Sequence, residues 1–184
     1  ERAKCSVGAH HSDPFRWQVE FFCEDIDPFR ERIARLDERI ERSLDEHEVA
    51  RLLTTIDGIG PLTSARLVAE FGDFSRFEKG GAALAAHVGA VPALRHSGKS
   101  NPIHAGLTHI GDARLRAHLY MPTLAAVRHN VWLKRHYQRL IAKGKLPKVA
   151  LIACMRKLLH AIYSVATHRK PFVAKLHQPT ELPA

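Results

Sequence analysis

From Ile26 onward the apolar positions fall at Ile26, Phe29, Ile33, Leu36, Ile40 and Leu44, close to the three-four alternation of a coiled-coil seam. Glu31 with Arg35 and Glu38 with Arg42 lie four residues apart on the other faces, where opposite charges support a helix. The pattern predicts a helix over 26–44. Its seam is under three heptads and needs cover to be stable, from a second copy, from a further domain of a longer protein, or from this chain's own core. Residues 1–22 carry no clean period. Gly8, His10, His11, Ser12 and Pro14 read as loop, followed by an apolar cluster of Phe15, Trp17, Val19, Phe21 and Phe22.

A second helical pattern ends before Gly58, and another opens with Pro61 and stops at Gly72, packing Leu62, Ala65, Leu67, Val68 and Phe71. The intervening Gly58-Ile59-Gly60 resembles the turn of a helix-hairpin-helix, in which glycines let backbone N–H groups approach a phosphate; a plain helical hairpin is the alternative. Residues 82–88 predict a short helix capped by Gly89. Pro92 to Gly106 reads as loop. A helix then starts at Asp112 as N-cap, with Pro122 expected to kink or divide it. Trp132 to Ala142 forms an amphipathic helix closed by Gly144. Pro147 opens a long helix to about His168, apolar on most sides and predicted to be central. With no strand alternation anywhere, the expected fold class is all-α. The expected division is a coiled-coil-like segment 1–50, a compact helical domain 51–175, and a tail 176–184.

Charge sharpens the picture. Residues 1–50 carry a net charge of −5 and residues 51–184 one of +14. Between Glu78 and Glu181 stands one acidic side chain, Asp112, against 17 Lys and Arg. Like charges repel in a compact state, so a run of this kind implies a polyanion, and nucleic acid is the expected partner. No lipidation motif, signal-peptide pattern or uncharged apolar run of 18 residues points to a membrane. Three scattered cysteines, Cys5, Cys23 and Cys154, suit a reducing cytoplasm rather than a disulfide framework. Cys5 and Cys23 with His10-His11 lack metal-ligand spacing, so no metal site is expected in this segment. The first residue is Glu rather than Met, which suggests a piece of a longer protein.

Gly98-Lys99-Ser100 is not a nucleotide P-loop, because Ala93 occupies the position that must be Gly and no apolar strand precedes it. Ser97, within Arg95-His96-Ser97-Gly98-Lys99-Ser100, has two readings. It is a hydroxyl that contacts phosphate, or a nucleophile that attacks one. The second requires neutralising charge, which Arg95, Lys99, Arg114 and Arg116 could supply, and a proton carrier such as His96, His104 or His109. His87, His118 and His160 read as packing or solvent-facing groups. Lys143, Lys145, Lys148, Arg156 and Lys157, with Lys134, Arg135 and Arg139, read as contacts to nucleic-acid backbone, which position a protein without reading sequence.

The ordered series Ile56-Asp57-Gly58-Ile59-Gly60, Phe74-x-x-Phe77, Ala86-His87-Val88-Gly89-Ala90-Val91-Pro92, Ser97-Gly98-Lys99, Gly111-Asp112-x-x-Leu115-Arg116, Tyr137-x-x-Leu140-x-x-x-Gly144-Lys145, Met155-Arg156-Lys157-Leu158-Leu159 and Pro171-Phe172 resembles the C-terminal transposase domain of the insertion-sequence one-ten/one-sixteen/nine-oh-two family, with Piv-type DNA invertases as relatives. The resemblance covers about residues 50–175. It implies an upstream RuvC-like domain holding Mg²⁺ on an Asp-Glu-Asp-Asp set, a coiled-coil linker, and a helical domain whose serine aligns with Ser97. That serine would attack a DNA phosphodiester and form a phosphoserine intermediate. A structured bridge RNA would choose the sequence, leaving the protein to grip backbones. His109 stands where relatives often place a Lys. The RuvC-like portion has no counterpart here, so the expectation is a fragment that does not recombine DNA alone, with no cofactor of its own. The expected function is the serine-bearing part of a DNA transposase or recombinase, forming a homo-oligomer through the 26–44 helix. The alternative is a non-catalytic helix-hairpin-helix DNA-binding module.

Overall fold

The computed structural model describes residues 13–95, 103–107 and 110–174, with only the backbone described for 93–95 and 103–107. Two compact units divide the chain, residues 1–40 and 41–184. The class is all-α, with one short β-hairpin.

Helix α1 runs from Asp13 to Glu46. It therefore starts earlier than the seam alone predicts, and takes in the aromatic cluster that reads ambiguously in sequence. Asp13 and Pro14 suit a helix start: an acid favours the positive end of the dipole, and proline there gives up a donor that has no helical partner. Trp17 and Phe21, one turn apart, stack with ring centroids 5.8 Å apart. Every described side chain of residues 13–39 is exposed, including Phe29, Ile33 and Leu36.

The second unit contains α2 (Glu48–Leu53), α3 (Pro61–Phe71), a 3-10 turn (Phe74–Arg76), α4 (Gly81–Val88), β1 (Pro92–Arg95), β2 (Ile103–Leu107), α5 (Ala113–His129), α6 (Val131–Ala142) and α7 (Pro147–His168). As the apolar pattern requires, α7 lies in the middle, packed against α2, α4, α5 and α6. Met155, Leu158, Leu159 and Ile162 are fully buried. By length and apolarity α7 would suffice to cross a membrane, but more than half of that apolar window is buried inside the unit. Ala50, where the charge changes sign, is itself buried there.

Helix boundaries follow local chemistry. Pro61 follows the N-cap Gly60, and Gly89 at φ 75° caps α4. Asp112 caps α5 by accepting from the Arg114 and Leu115 amides at 2.8 and 3.0 Å. Asn130 is buried between α5 and α6 and accepts from the Trp132 amide at 3.0 Å. Pro122 does not divide α5, which continues to His129. Proline leaves the carbonyl four residues back without its helical donor. One residue on, the buried Thr123 donates its hydroxyl to the Leu119 carbonyl at 2.7 Å.

Residues 92–107 are not wholly loop. β1 and β2 pair antiparallel, with Leu94 opposite His104 and Arg95 opposite Ile103. Between the pairs Pro92–Leu107 and Leu94–His104, two steps on β1 face three on β2, an irregularity that bends the hairpin. Strands of four and five residues, one opening on proline, are too short to show alternation in sequence.

Candidate functional site: a clasped basic hairpin

The motif Phe74-x-x-Phe77 builds the floor beneath α4. Asp73 caps the 3-10 turn, accepting from the Ser75 amide at 2.9 Å and its hydroxyl at 2.6 Å. The Ser75 hydroxyl and amide hold the Asp73 carboxyl below its ordinary range. Phe71 lies edge-on to Phe74 and Phe77 at 5.6 and 5.9 Å, and His87 closes the set at 5.6 Å from Phe77. His87 is thus a packing group on the outer side of α4.

The next link is the clasp. The end of α4 and the start of α5 meet backbone to backbone: the Asp112 amide donates to the His87 carbonyl at 2.9 Å. Arg116 donates from a guanidinium nitrogen to the Val88 carbonyl at 3.1 Å, placing positive charge on the negative end of α4. Gly89 and Gly111 (φ 75° and 109°) fill the space between the two helices. A Cβ on Gly89 would stand 2.3 Å from Arg116 and 2.7 Å from the Ile110 carbonyl oxygen. Both ends of the 90–110 excursion are therefore held at one point, and its two strands carry the segment 96–102 between them.

Ser97, Lys99 and His109 lie outside the described residues, as do His96 and residues 175–184; Arg95 is placed only by its backbone, as the last residue of β1. Arg114 is exposed on the first turn of α5. Asp112 is occupied by the helix amides; bonds from Leu115 and Arg114 lower its pKa. The clasp thus consumes the one carboxylate of this stretch.

The other sequence-predicted residues are dispersed. Gly58, at φ 98°, is pressed on α5: a Cβ there would fall 2.4 Å from the Ala126 nitrogen. Gly60 faces open space at the start of α3. Lys143, Lys145 and Lys148 are exposed around the α6–α7 turn, and Arg156 is half-buried on α7. The Lys157 ammonium sits 4.2 Å from the centre of the Trp132 ring. His118 meets Arg66 at 3.0 Å, and His160 packs beneath Gly81. Among the described residues no group of three His, Cys, Asp or Glu side chains converges to hold a metal ion. The Mg²⁺ that the resemblance implies has no fitting ligand set there.

The sequence reading missed the pairing of Gly89 with Gly111, the buried cap Asn130, and the contact of Lys157 with Trp132. The first left a trace, since a glycine directly ahead of an N-cap Asp invites the question of what approaches it. The others depend on how helices cross and leave no local signal.

The Transposase IS116/IS110/IS902 family matches residues 50–138, from α2 through the clasp and into α6. The chain belongs to this family. A relative named pilin gene-inverting protein from Moraxella bovis is 31% identical over 160 residues, covering 84% of this chain and 49% of the relative. Its namesake from Moraxella lacunata is 34% identical over 130 residues, covering 70% and 40%. An insertion element IS110 protein of 43.6 kDa from Streptomyces coelicolor is 25% identical over 167 residues, covering 90% and 40%. This IS110-type chain thus spans about half the length, or less, of these curated relatives.

Proposed function

We propose that this chain is the part of a DNA transposase or recombinase that grips nucleic-acid backbones and supplies Ser97 as the nucleophile for strand cleavage and joining. One observation carries the reading: the clasp of α4 on α5 anchors a hairpin whose strands are joined by a sequence rich in cations and bearing Ser97, and Asp112, the one acid in sequence between Glu78 and Glu181, is spent as a helix cap. A phosphodiester brought there meets cations without internal competition for them.

In the reaction proposed, the Ser97 oxygen forms a bond to phosphorus as its proton leaves, and one bridging P–O bond of the DNA breaks. The departing sugar oxygen takes up a proton. Attack by the hydroxyl of another strand reverses these changes and releases the serine. One ester is exchanged for another at each step, so no external energy source is required. Neutralising the developing charge is the protein's main task, and cations such as Arg95, Lys99 and Arg114 would serve it. Mg²⁺, if used, would be held by residues outside the described part of this chain.

Two partners belong to the same reading. A structured guide RNA would choose the sequence and leave the protein to grip backbones. A second copy would cover the exposed Ile26, Phe29, Ile33 and Leu36 seam of α1. Gly60, open at the start of α3, favours a narrower second reading, a non-catalytic module in which that helix end holds a phosphate.

The test is Ser97→Ala in a protein that also contains the RuvC-like portion the family resemblance implies. Recombination lost with DNA binding retained supports the nucleophile. Recombination at a near wild-type rate removes Ser97 from that role and leaves the binding module.

A further inference from the structure

Helices α6 and α7 bring together His136, Arg139 and Lys157, on the unit that carries the hairpin but built from other elements. Arg139 reaches the His136 ring nitrogen at 3.0 Å, and Lys157 lies over Trp132 at 4.2 Å from the ring centre. Trp132 is buried, and the Phe172 ring packs beside it with centroids 5.6 Å apart. The ammonium of Lys157 is therefore held over a fixed aromatic face rather than swinging free. Among the described residues no carboxylate bonds to any of the three. The only acid between Glu78 and Glu181 is Asp112, which is committed to capping α5.

His136 and Arg139 in contact, with Lys157 over the neighbouring Trp132, repel one another whenever all are protonated. Burial and this repulsion disfavour the charged forms of His136 and Lys157. Burial, then Lys157 and Arg139, push His136 down to about 4. Burial, then Arg139, also lowers Lys157, which the neighbouring Cys154 partly offsets. A site tuned in this way is complete only when an anion enters it. Arg139 can offer a planar fork, Lys157 a fixed point charge and His136 a ring N–H.

We propose that His136, Arg139 and Lys157, with Trp132 as platform, form a preorganised seat for one backbone phosphate of bound nucleic acid, separate from the phosphate addressed by the hairpin. The proposal rests on the nucleic-acid reading above and adds a specific anchor to it. Its role is positioning: a second fixed phosphate sets the register of the duplex or RNA relative to the segment between β1 and β2.

The 184-residue chain is titrated with labelled duplex DNA by fluorescence anisotropy across a series of salt concentrations, then with a structured RNA. Arg139→Gln and Lys157→Gln are compared with wild type and with Lys79→Gln, an exposed change outside the cluster, after circular dichroism confirms that each is folded. Each cluster variant is expected to bind roughly three- to tenfold more weakly near 0.1 M salt. Its slope of log K against log salt should be shallower by about 0.9 on duplex DNA, and shallower likewise on the structured RNA. In Trp17→Phe protein, where Trp132 is the remaining tryptophan, its emission should shift as nucleic acid is added, and His136 should take up a proton on binding. If wild type binds with a steep slope while both cluster variants match it, the seat is refuted and the nucleic-acid reading stands. If wild type itself shows a flat slope, that reading falls and the seat with it.

Discussion

The backbones of Gly89 and Gly111 touch: a Cβ on Gly111 would stand 2.5 Å from the Gly89 nitrogen and 2.6 Å from its Cα. Both residues adopt positive φ, so any other residue is strained there even before the clash. Gly89→Ala and Gly111→Ala are each expected to cost about 2–3 kcal/mol in urea unfolding. The pair should be far from additive, because either change already opens the clasp. Additive losses below about 0.5 kcal/mol each would show that the two helices are held by something else.

The glycines of the α2–α3 turn separate cleanly. Gly58→Ala drives a methyl group into the Ala126 backbone at a positive φ and should cost about 2–3 kcal/mol. Gly60→Ala meets nothing within 4 Å at φ −85°, so its cost is the loss of a tolerated N-cap, at most about 1 kcal/mol. Thermal or urea unfolding checks both. If Gly60→Ala leaves stability intact but weakens DNA binding, the start of α3 contacts phosphate.

Much of this arrangement is legible in the sequence. Pro61, Gly89, Asp112, Gly144 and Pro147 mark helix ends because proline, glycine and aspartate each solve a local backbone problem there. The central place of α7 follows from its nearly continuous apolar surface. What escapes is non-local. The hairpin pairing of Leu94 with His104, the pressure of Gly58 on Ala126, and the meeting of Lys157 with Trp132 are set by tertiary packing. Pro122 misleads because α5 runs on to His129 despite the donor that proline removes.

Acid should weaken the fold through His136. Its pKa falls from 6.5 to about 4, through burial first and then Lys157 and Arg139, and burial lowers His160 as well. The unfolded chain takes up these protons near its ordinary histidine value, whereas the folded chain refuses them until lower pH. Stability is therefore fully present above about 6.5 and lost as pH falls toward about 4. Urea midpoints measured across that window should decline in wild type and flatten in His136→Gln. Parallel curves would show that His136 is not the group responsible.

The exposed seam of α1 predicts self-association. Ile33→Asp, in the middle of Ile26, Phe29, Leu36 and Ile40, puts a charge on the seam while leaving the exposed helix free to form. Sedimentation analysis should show a concentration-dependent oligomer in wild type and a monomer in the variant. An unchanged sedimentation profile would mean that copies do not meet along this helix.

The most direct test is chemical. The protein, combined with the RuvC-like portion, is incubated with DNA substrate and guide RNA, quenched in denaturant, digested, and searched by mass spectrometry for a nucleotide bonded to a peptide. The account predicts an adduct on Ser97, absent from Ser97→Ala. Recombination with no serine-linked nucleotide, or an adduct mapped to another residue, contradicts it.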